Sequence, residues 1–228
     1  MRFSVKRSTI DHLIDQAIAL LKKHQFFLPP FAYWTPETWR TKGAEYNEIR
    51  DNMLGWDITD FGSENFEKVG LLLFTIRNGN FHNHAYTKTY AEKMLLVNEN
   101  QMTPYHFHWN KIEDIICRGG GNLLVQVYNR TKDERLDEQN DVVISVDGCR
   151  RTLKAGSILR LTPGESVTLT QGIYHGFWAE KGTGTALLGE VSQTNDDQAD
   201  NRFLISNVRF PIIEEDQPKR HLLCTDYR

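Results

Sequence analysis

The chain is 228 residues long and carries 27 Lys and Arg against 30 Asp and Glu, a net charge of −3 at pH 7, which gives no electrostatic reason to expect nucleic acid or an anionic membrane as a partner. With 25% charged and 39% hydrophobic residues, and a longest apolar run (residues 70–74) of strand size, the composition is that of an ordinary globular protein without a membrane span. The start, Met-Arg-Phe-Ser-Val-Lys-Arg, lacks an apolar signal core, and Cys117, Cys149 and Cys224 are odd in number without C-x-x-C spacing, so a cytoplasmic protein with reduced thiols is expected.

From Ser8 the apolar residues recur at helical spacing, with Ile10, Leu13, Ile14, Ala17, Ile18 and Leu21 on one stripe and Asp11, Asp15 and Gln16 away from it. Ser8 with Asp11 three residues on reads as a capping arrangement, and Lys22, Lys23 and His24 complement the negative end of the helix dipole. The helix ends before Pro29-Pro30. A second helix is expected from Thr35-Pro36-Glu37, where Thr can cap and Pro suits the first turn, to Gly55. Trp34, Trp39, Tyr46 and Trp56 make this region an aromatic lid, packed on the body of the protein or on a partner subunit.

After Asp60 the texture changes to short apolar runs separated by turn residues. Strands are expected at residues 69–77, closed by Asn78-Gly79 as a hairpin signal, then at 90–97, from Thr103, and at 112–117, 123–128, 142–146, 158–161, 167–169, 175–179 and 186–191. Many short strands without interleaved helices predict an antiparallel sandwich or barrel. Residues 130–141 read as a charged, solvated hairpin loop, and Asp147-Gly148 as a tight turn.

The chemistry concentrates in Pro104-Tyr105-His106-Phe107-His108-Trp109-Asn110-Lys111-Ile112-Glu113. His106 and His108 are two apart, so on a strand they project from one face as two ligands of one metal ion. Glu113 can return a carboxylate from the next strand, and His175, after the Gly172 turn, can supply a fourth donor. The pair His82-Asn83-His84 has Thr89 where the Glu would fall and reads as incidental. Glu190 ends the apolar run Ala186-Leu187-Leu188-Gly189, where an inward carboxylate is costly unless paired or functional.

H-x-H-x4-E-x6-G followed some sixty residues later by G-x-x-H resembles the two motifs of the cupin superfamily. Asn100, Thr170 and Ala179 stand where those motifs usually place Gly, Pro and Asn, positions of turn geometry and not of metal binding. Tyr90-Ala91-Glu92-Lys93, the His106-x-His108-x4-Glu113 core, the triple glycine 119–121, Glu190-Val191-Ser192, Asn195-Asp196-Asp197 and Asp200-Asn201-Arg202-Phe203 look like the D-lyxose ketol-isomerase family of sugar-isomerising cupins. The resemblance covers nearly the whole chain. It implies an all-β dominated cupin jelly-roll barrel, a double-stranded β-helix, as a single domain over residues 1–228, with an N-terminal helical extension over 1–60 and the barrel core over 61–228. It also implies a manganese-dependent aldose–ketose isomerase, usually homodimeric, acting on the sugars D-lyxose and D-xylulose and often on D-mannose and D-fructose.

His106, His108, Glu113 and His175 are the expected metal ligands, with Mn²⁺ favoured by the resemblance although Co²⁺, Fe²⁺ or Zn²⁺ suit the same donors. Such an ion would stabilise the negative charge of a cis-enediolate while a base moves the C2 proton to C1. Glu190 and Glu113 are candidate bases. Lys93 is expected to hold a substrate hydroxyl or carry a proton, and Asp197 and Arg202 to bind distal hydroxyls. A cupin-type metal-dependent oxygenase or oxidase, or a non-catalytic sugar-binding cupin, could use the same ligands.

Overall fold

Two periodicities in the sequence give two layers of packing, one inside a barrel and one between the barrel and a helix. The computed structural model describes residues 5–197, 199–205 and 211–227; residues 1–4, which open the segment noted for lacking a signal core, lie outside the described residues. In chain order the strands are β1 (Val5–Lys6), β2 (Gly55–Thr59), β3 (Leu71–Arg77), β4 (Tyr90–Val97), β5 (Thr103–Phe107), β6 (Glu113–Gly120), β7 (Leu123–Arg130), β8 (Leu136–Asp137), β9 (Val142–Val146), β10 (Cys149–Leu153), β11 (Ile158–Leu161), β12 (Ser166–Leu169), β13 (Ile173–Ala179), β14 (Ala186–Gln193), β15 (Arg202–Phe203) and β16 (Ile213–Glu214). One sheet of eight strands runs β10-β9-β12-β6-β14-β4-β3-β2. The other runs β11-β7-β13-β5-β15 with β8 paired to β7, and β1 pairs in parallel with β16. This is the expected cupin barrel, with both sheets antiparallel throughout.

The sheets face each other across a core that includes Leu73, Leu95, Ile115, Val125, Val167, Phe177 and Leu188. On the opposite face of β2, β3, β4 and β14, the side chains of Trp56, Leu72, Phe74, Met94, Leu96 and Leu187 form a second core beneath Ile10, Ile14, Ala17 and Leu21 of helix α1 (Arg7–Lys23). Strands buried on both faces read as continuous apolar runs, which is why residues 70–74 show no alternation. The fully buried Ile10, Ile14 and Leu21 each contribute about 1.5–3 kcal/mol of burial, and a lone helix of this length is marginal in water. The sheet face therefore holds α1 in place.

Several local expectations fail for identifiable reasons. Ser8 and Asp11 do not cap α1: Lys6 is the capping residue and makes no side-chain bond. Ser8 instead donates to Asp216 from its backbone N–H at 2.9 Å and its hydroxyl at 2.6 Å. Asp11 is fully buried, because the C-terminal segment crosses it: its carboxylate accepts from Gln217 Nε2 and from the backbone N–H groups of Arg220 and His221. Thr35 does cap and Pro36 does open a helix, but α2 (Pro36–Arg40) and α3 (Asn47–Asp51) are separate. Between them the Arg50 guanidinium binds the carbonyls of Lys42 and Gly43, which a continuous helix would have used internally. The chain then enters β2 at Gly55. Trp34 meets Trp39 and Tyr46 edge-on, and Trp39 stacks on Tyr227. Asn78-Gly79 does not close a two-residue hairpin. Its asparagine is taken by the loop after β14, donating to the Asn195 carbonyl and accepting from the Asn195 N–H, so residues 78–89 join β3 to β4. Asp147-Gly148 is the expected tight turn, with positive φ at both residues.

The C-terminal segment is pinned to α1 by a buried guanidinium. Arg7 is fully buried and pairs with Glu215 at 2.8 Å and Asp226 at 3.1 Å. Removing one partner of a buried pair leaves the others uncompensated. Arg7→Met therefore lowers the urea-unfolding free energy by about 3 kcal/mol, near the low end for buried pairs because Glu215 is half exposed; a loss below about 0.5 kcal/mol, the range of surface substitutions, would sink this account.

Candidate metal centre

Strand register brings distant donors together. His175 of β13 lies directly opposite His106 of β5, Glu113 opens β6, and His108 follows β5 by one residue. The donor atoms of His106, His108, Glu113 and His175 all lie within 4.8 Å of one another, and all four residues are buried. Each imidazole is oriented through its far nitrogen: Nδ1 of His106 bonds the Pro104 carbonyl at 2.8 Å, that of His108 the Asp200 carbonyl at 2.7 Å, and that of His175 the Ile173 carbonyl at 3.1 Å. A carbonyl only accepts, so each Nδ1 carries the proton and each neutral ring turns an Nε2 lone pair inward.

Those lone pairs have no hydrogen-bond partner at His108 and His175. Both nitrogens nevertheless lie close to Glu113 Oε1, at 3.4 and 3.0 Å. Lone pairs facing a carboxylate in a dry interior are repulsive unless a cation lies between them. Two donors about 2.1 Å from one ion and at right angles lie about 3.0 Å apart, so the donor set fits a divalent ion.

A second group of charges adjoins the first. Lys111 Nζ contacts Glu113 Oε2 at 2.8 Å, Glu190 Oε1 at 3.0 Å and Asn195 Oδ1 at 3.1 Å. Lys93, directly opposite Glu190 in the β4–β14 register, reaches Glu190 Oε1 at 3.3 Å and Asp197 Oδ1 at 3.8 Å. Lys93, Lys111, Glu113 and Glu190 are all buried. Burial disfavours the charge on Lys111, but Glu113 and Glu190 outweigh it and raise its pKa above the ordinary lysine value. Burial likewise disfavours the Glu113 carboxylate, but Lys111 and then His108 hold it well below the usual range.

The structure thus brings His106, His108, Glu113, Lys93, Glu190 and Asp197 to one cavity of about 50 Å³, and His175 joins them through the donor cluster. Asp197 also lines a neighbouring cavity of about 370 Å³, between the inner chamber and the loop carrying Asn78 and His82. Arg202 is not brought there. On two-residue β15, neighbouring side chains face opposite ways, and it is Phe203 that packs on the His106 ring. Arg202 instead donates from Nε to Glu134 at 3.0 Å. His82 and His84 are exposed on the β3–β4 loop, and His82 Nε2 stands 3.6 Å from Asp196.

Sequence reasoning missed Lys111 and Asp200. Lys111 stands two residues before Glu113, a same-face spacing that could have revealed it. Asp200 holds the site through its backbone and side chain together. Its carbonyl orients His108, and its carboxylate accepts from the N–H groups of Asn110 and Lys111 at 2.9 Å each.

His106 titrates well below the ordinary imidazole range, chiefly through burial and then through the neighbouring His175 and His108. A group whose folded pKa is depressed binds its proton more readily when unfolded. Stability is therefore full above the unfolded value of about 6.5 and falls as pH drops below it. In chelator-treated protein this proton contributes a loss of up to about 1.4 kcal/mol per pH unit below pH ~6.5 in urea unfolding, and His106→Gln removes that component; an identical slope in the variant would contradict a buried neutral ring.

The sequence model of the D-lyxose isomerase family matches residues 5–227. The D-lyxose/D-mannose isomerase of Escherichia coli O157:H7 is 47% identical over 225 residues, which cover 98% of this chain and 99% of that protein. The D-lyxose/D-mannose isomerase of Serratia proteamaculans is 48% identical over 224 residues, 98% of each chain. Among solved structures, the L-ribose isomerase of Acinetobacter sp. DL28 in complex with L-ribose superposes with a TM-score of 0.63 at 16% identity, covering 93% of this chain and 99% of that one. That of Cellulomonas parahominis with L-ribose gives 0.61 at 15%, covering 94% and 100%. At such identities the structural likeness concerns the barrel alone. The sequence match is of another order: it runs from end to end at nearly half identity, and by it the chain belongs to the D-lyxose isomerase family.

Proposed function

We propose that this protein is a metal-dependent aldose–ketose isomerase that interconverts D-lyxose with D-xylulose and D-mannose with D-fructose. The observation that carries the reading is the contact between the two buried groups: Lys111 touches both Glu113, inside the cluster of inward-facing donors, and Glu190, outside it. Family membership supplies the substrate class.

A divalent ion held by His106, His108, Glu113 and His175 would supply Lewis-acid stabilisation of negative charge on the C1 and C2 oxygens of an open-chain sugar. Glu113, held ionised by Lys111 and His108 against its burial, is a poor proton acceptor. Glu190 therefore takes the base role, removing the C2 proton and returning it to C1. Lys111 stays protonated, fixes the Glu190 carboxylate and offsets the charge of both glutamates. In this reading Lys93, which contacts the same Glu190 oxygen, shuttles the second proton from O2 to O1, and Asp197 accepts from a hydroxyl further along the chain.

Three imidazoles and a carboxylate, with no thiolate, suit Mn²⁺ among the borderline and harder ions, and manganese is the proposed metal. Cys117, Cys149 and Cys224 form no disulfide, which supports a cytoplasmic setting. Val143 and Val191 remain exposed on strands of the eight-stranded sheet, which supports a homodimer.

The test is proton NMR of D-lyxose, D-mannose and D-xylose with Mn²⁺-loaded protein in D₂O. The expected result is conversion of D-lyxose and D-mannose, with deuterium at C1 of the ketose to the extent that the proton on Glu190 exchanges with solvent before its return, abolished by chelation and restored by Mn²⁺. Glu190→Gln lowers kcat by about 10²–10⁴ while leaving metal content unchanged. Failure of the loaded protein to convert any aldose would overturn the reading.

A further inference from the structure

We infer that Thr103 is a specificity-determining residue, whose hydroxyl binds a hydroxyl of the sugar at the apolar wall of the inner cavity. This rests on the isomerase reading and extends it to a residue that plain strand alternation would turn away from the site. In the β5–β13 pair His175 faces His106, yet Phe177, two residues on, faces Thr103, three residues back. The extra residue on β5 is a bulge, and it reverses the alternation. Partners across a ladder point to the same side, so Thr103 shares the inward face with Phe177, His106 and His175.

The environment leaves the hydroxyl nothing to bond. Thr103 is 2% exposed, and its Oγ1 has no hydrogen-bond partner. Only two other buried side-chain polar atoms among the described residues share that condition, the Nε2 atoms of His108 and His175. Thr103 lines the same cavity as His106, Glu113 and Glu190, together with Leu73, Leu95 and Phe177. Valine has the same shape and fills the position without stranding a polar group. A sugar chain, with a hydroxyl on nearly every carbon, is the kind of ligand that brings a partner to a lone hydroxyl in an apolar wall; an aromatic or aliphatic substrate does not.

The experiment compares wild type, Thr103→Val and Thr103→Ser, each loaded with Mn²⁺. It measures kcat and KM for D-lyxose and D-mannose, and thermal unfolding with and without saturating sugar. In Thr103→Val, kcat/KM falls about tenfold, as expected for one lost neutral hydrogen bond, and the sugar-induced rise in Tm shrinks. The Tm without sugar stays equal to wild type or rises, because no stranded hydroxyl remains. Thr103→Ser keeps the hydroxyl and stays within about threefold of wild type. Wild-type kinetics and an undiminished sugar-induced shift in Thr103→Val would overturn the assignment, as would a lower sugar-free Tm, which marks a structural role. Should the wild type convert neither sugar, the isomerase reading fails by itself, and the sugar-induced shift still decides Thr103.

Discussion

Charge inside the barrel has to be matched, and that requirement organises the head of the molecule. Two ammonium groups, Lys93 and Lys111, stand among three carboxylates, Glu113, Glu190 and Asp197, and the first four of these residues are buried. An isolated ion at such depth costs several kcal/mol, so no member of the group is tolerable without the others. The count leaves one surplus negative charge beside three inward-facing imidazoles. A site of that composition attracts a cation, and a divalent one reverses the sign of the surplus without stranding it. The contacts that make the cluster affordable also divide its labour. Glu113 is kept ionised and facing the imidazoles, while Glu190 is kept at the boundary between the cluster and the cavity.

Position follows from register and from one loop. The β5–β13 ladder brings His106 to His175 and the β4–β14 ladder brings Lys93 to Glu190, so the main site residues are placed by sheet hydrogen bonds and not by flexible connections. The exception is the stretch from His108 to Lys111, which lies between strands. There the loop after β14 supplies the rigidity: the Asp200 carboxylate takes the backbone N–H groups of Asn110 and Lys111, its carbonyl takes His108, and Asn195 contacts Lys111 while bonding back to Asn78. The polar loop after β14 is thus the clamp on the turn that carries Lys111.

What could be read in advance was whatever depended on alternation within a regular strand. His106, Glu113, Glu190 and Lys93 face the site from regular strands, and His108 does so one residue past the end of β5. Lys111 lies in the turn before β6, where its spacing of two from Glu113 is the only sign of which way it faces. A strand of two residues gives no pattern by which to choose between Arg202 and Phe203, and it is Phe203 that packs on His106. The exposed strand β10, Cys149–Leu153, has no buried face and so left no hydrophobic signal. Asp11, by period a solvent residue, is buried by a segment two hundred residues away, a contact that no local pattern encodes.

Where a fold leaves polar atoms unsatisfied is itself informative. Native interiors pair nearly all their buried donors and acceptors, because each orphan costs about 1–3 kcal/mol. Here the unpaired buried side-chain atoms among the described residues are two imidazole nitrogens and one hydroxyl. Their residues lie on β5, on β13 and in the turn after β5; Thr103 and His108 line the inner chamber, and His175 joins it through the donor cluster. The rest of the barrel meets its hydrogen-bonding demands internally, down to a fully buried arginine held by two carboxylates. A chain able to satisfy Arg7 and Asp11 across two hundred residues could have replaced a lone threonine by valine. The unmet demand at His108 and His175 suits a divalent cation, and that at Thr103 suits the hydroxyl-bearing ligand proposed above.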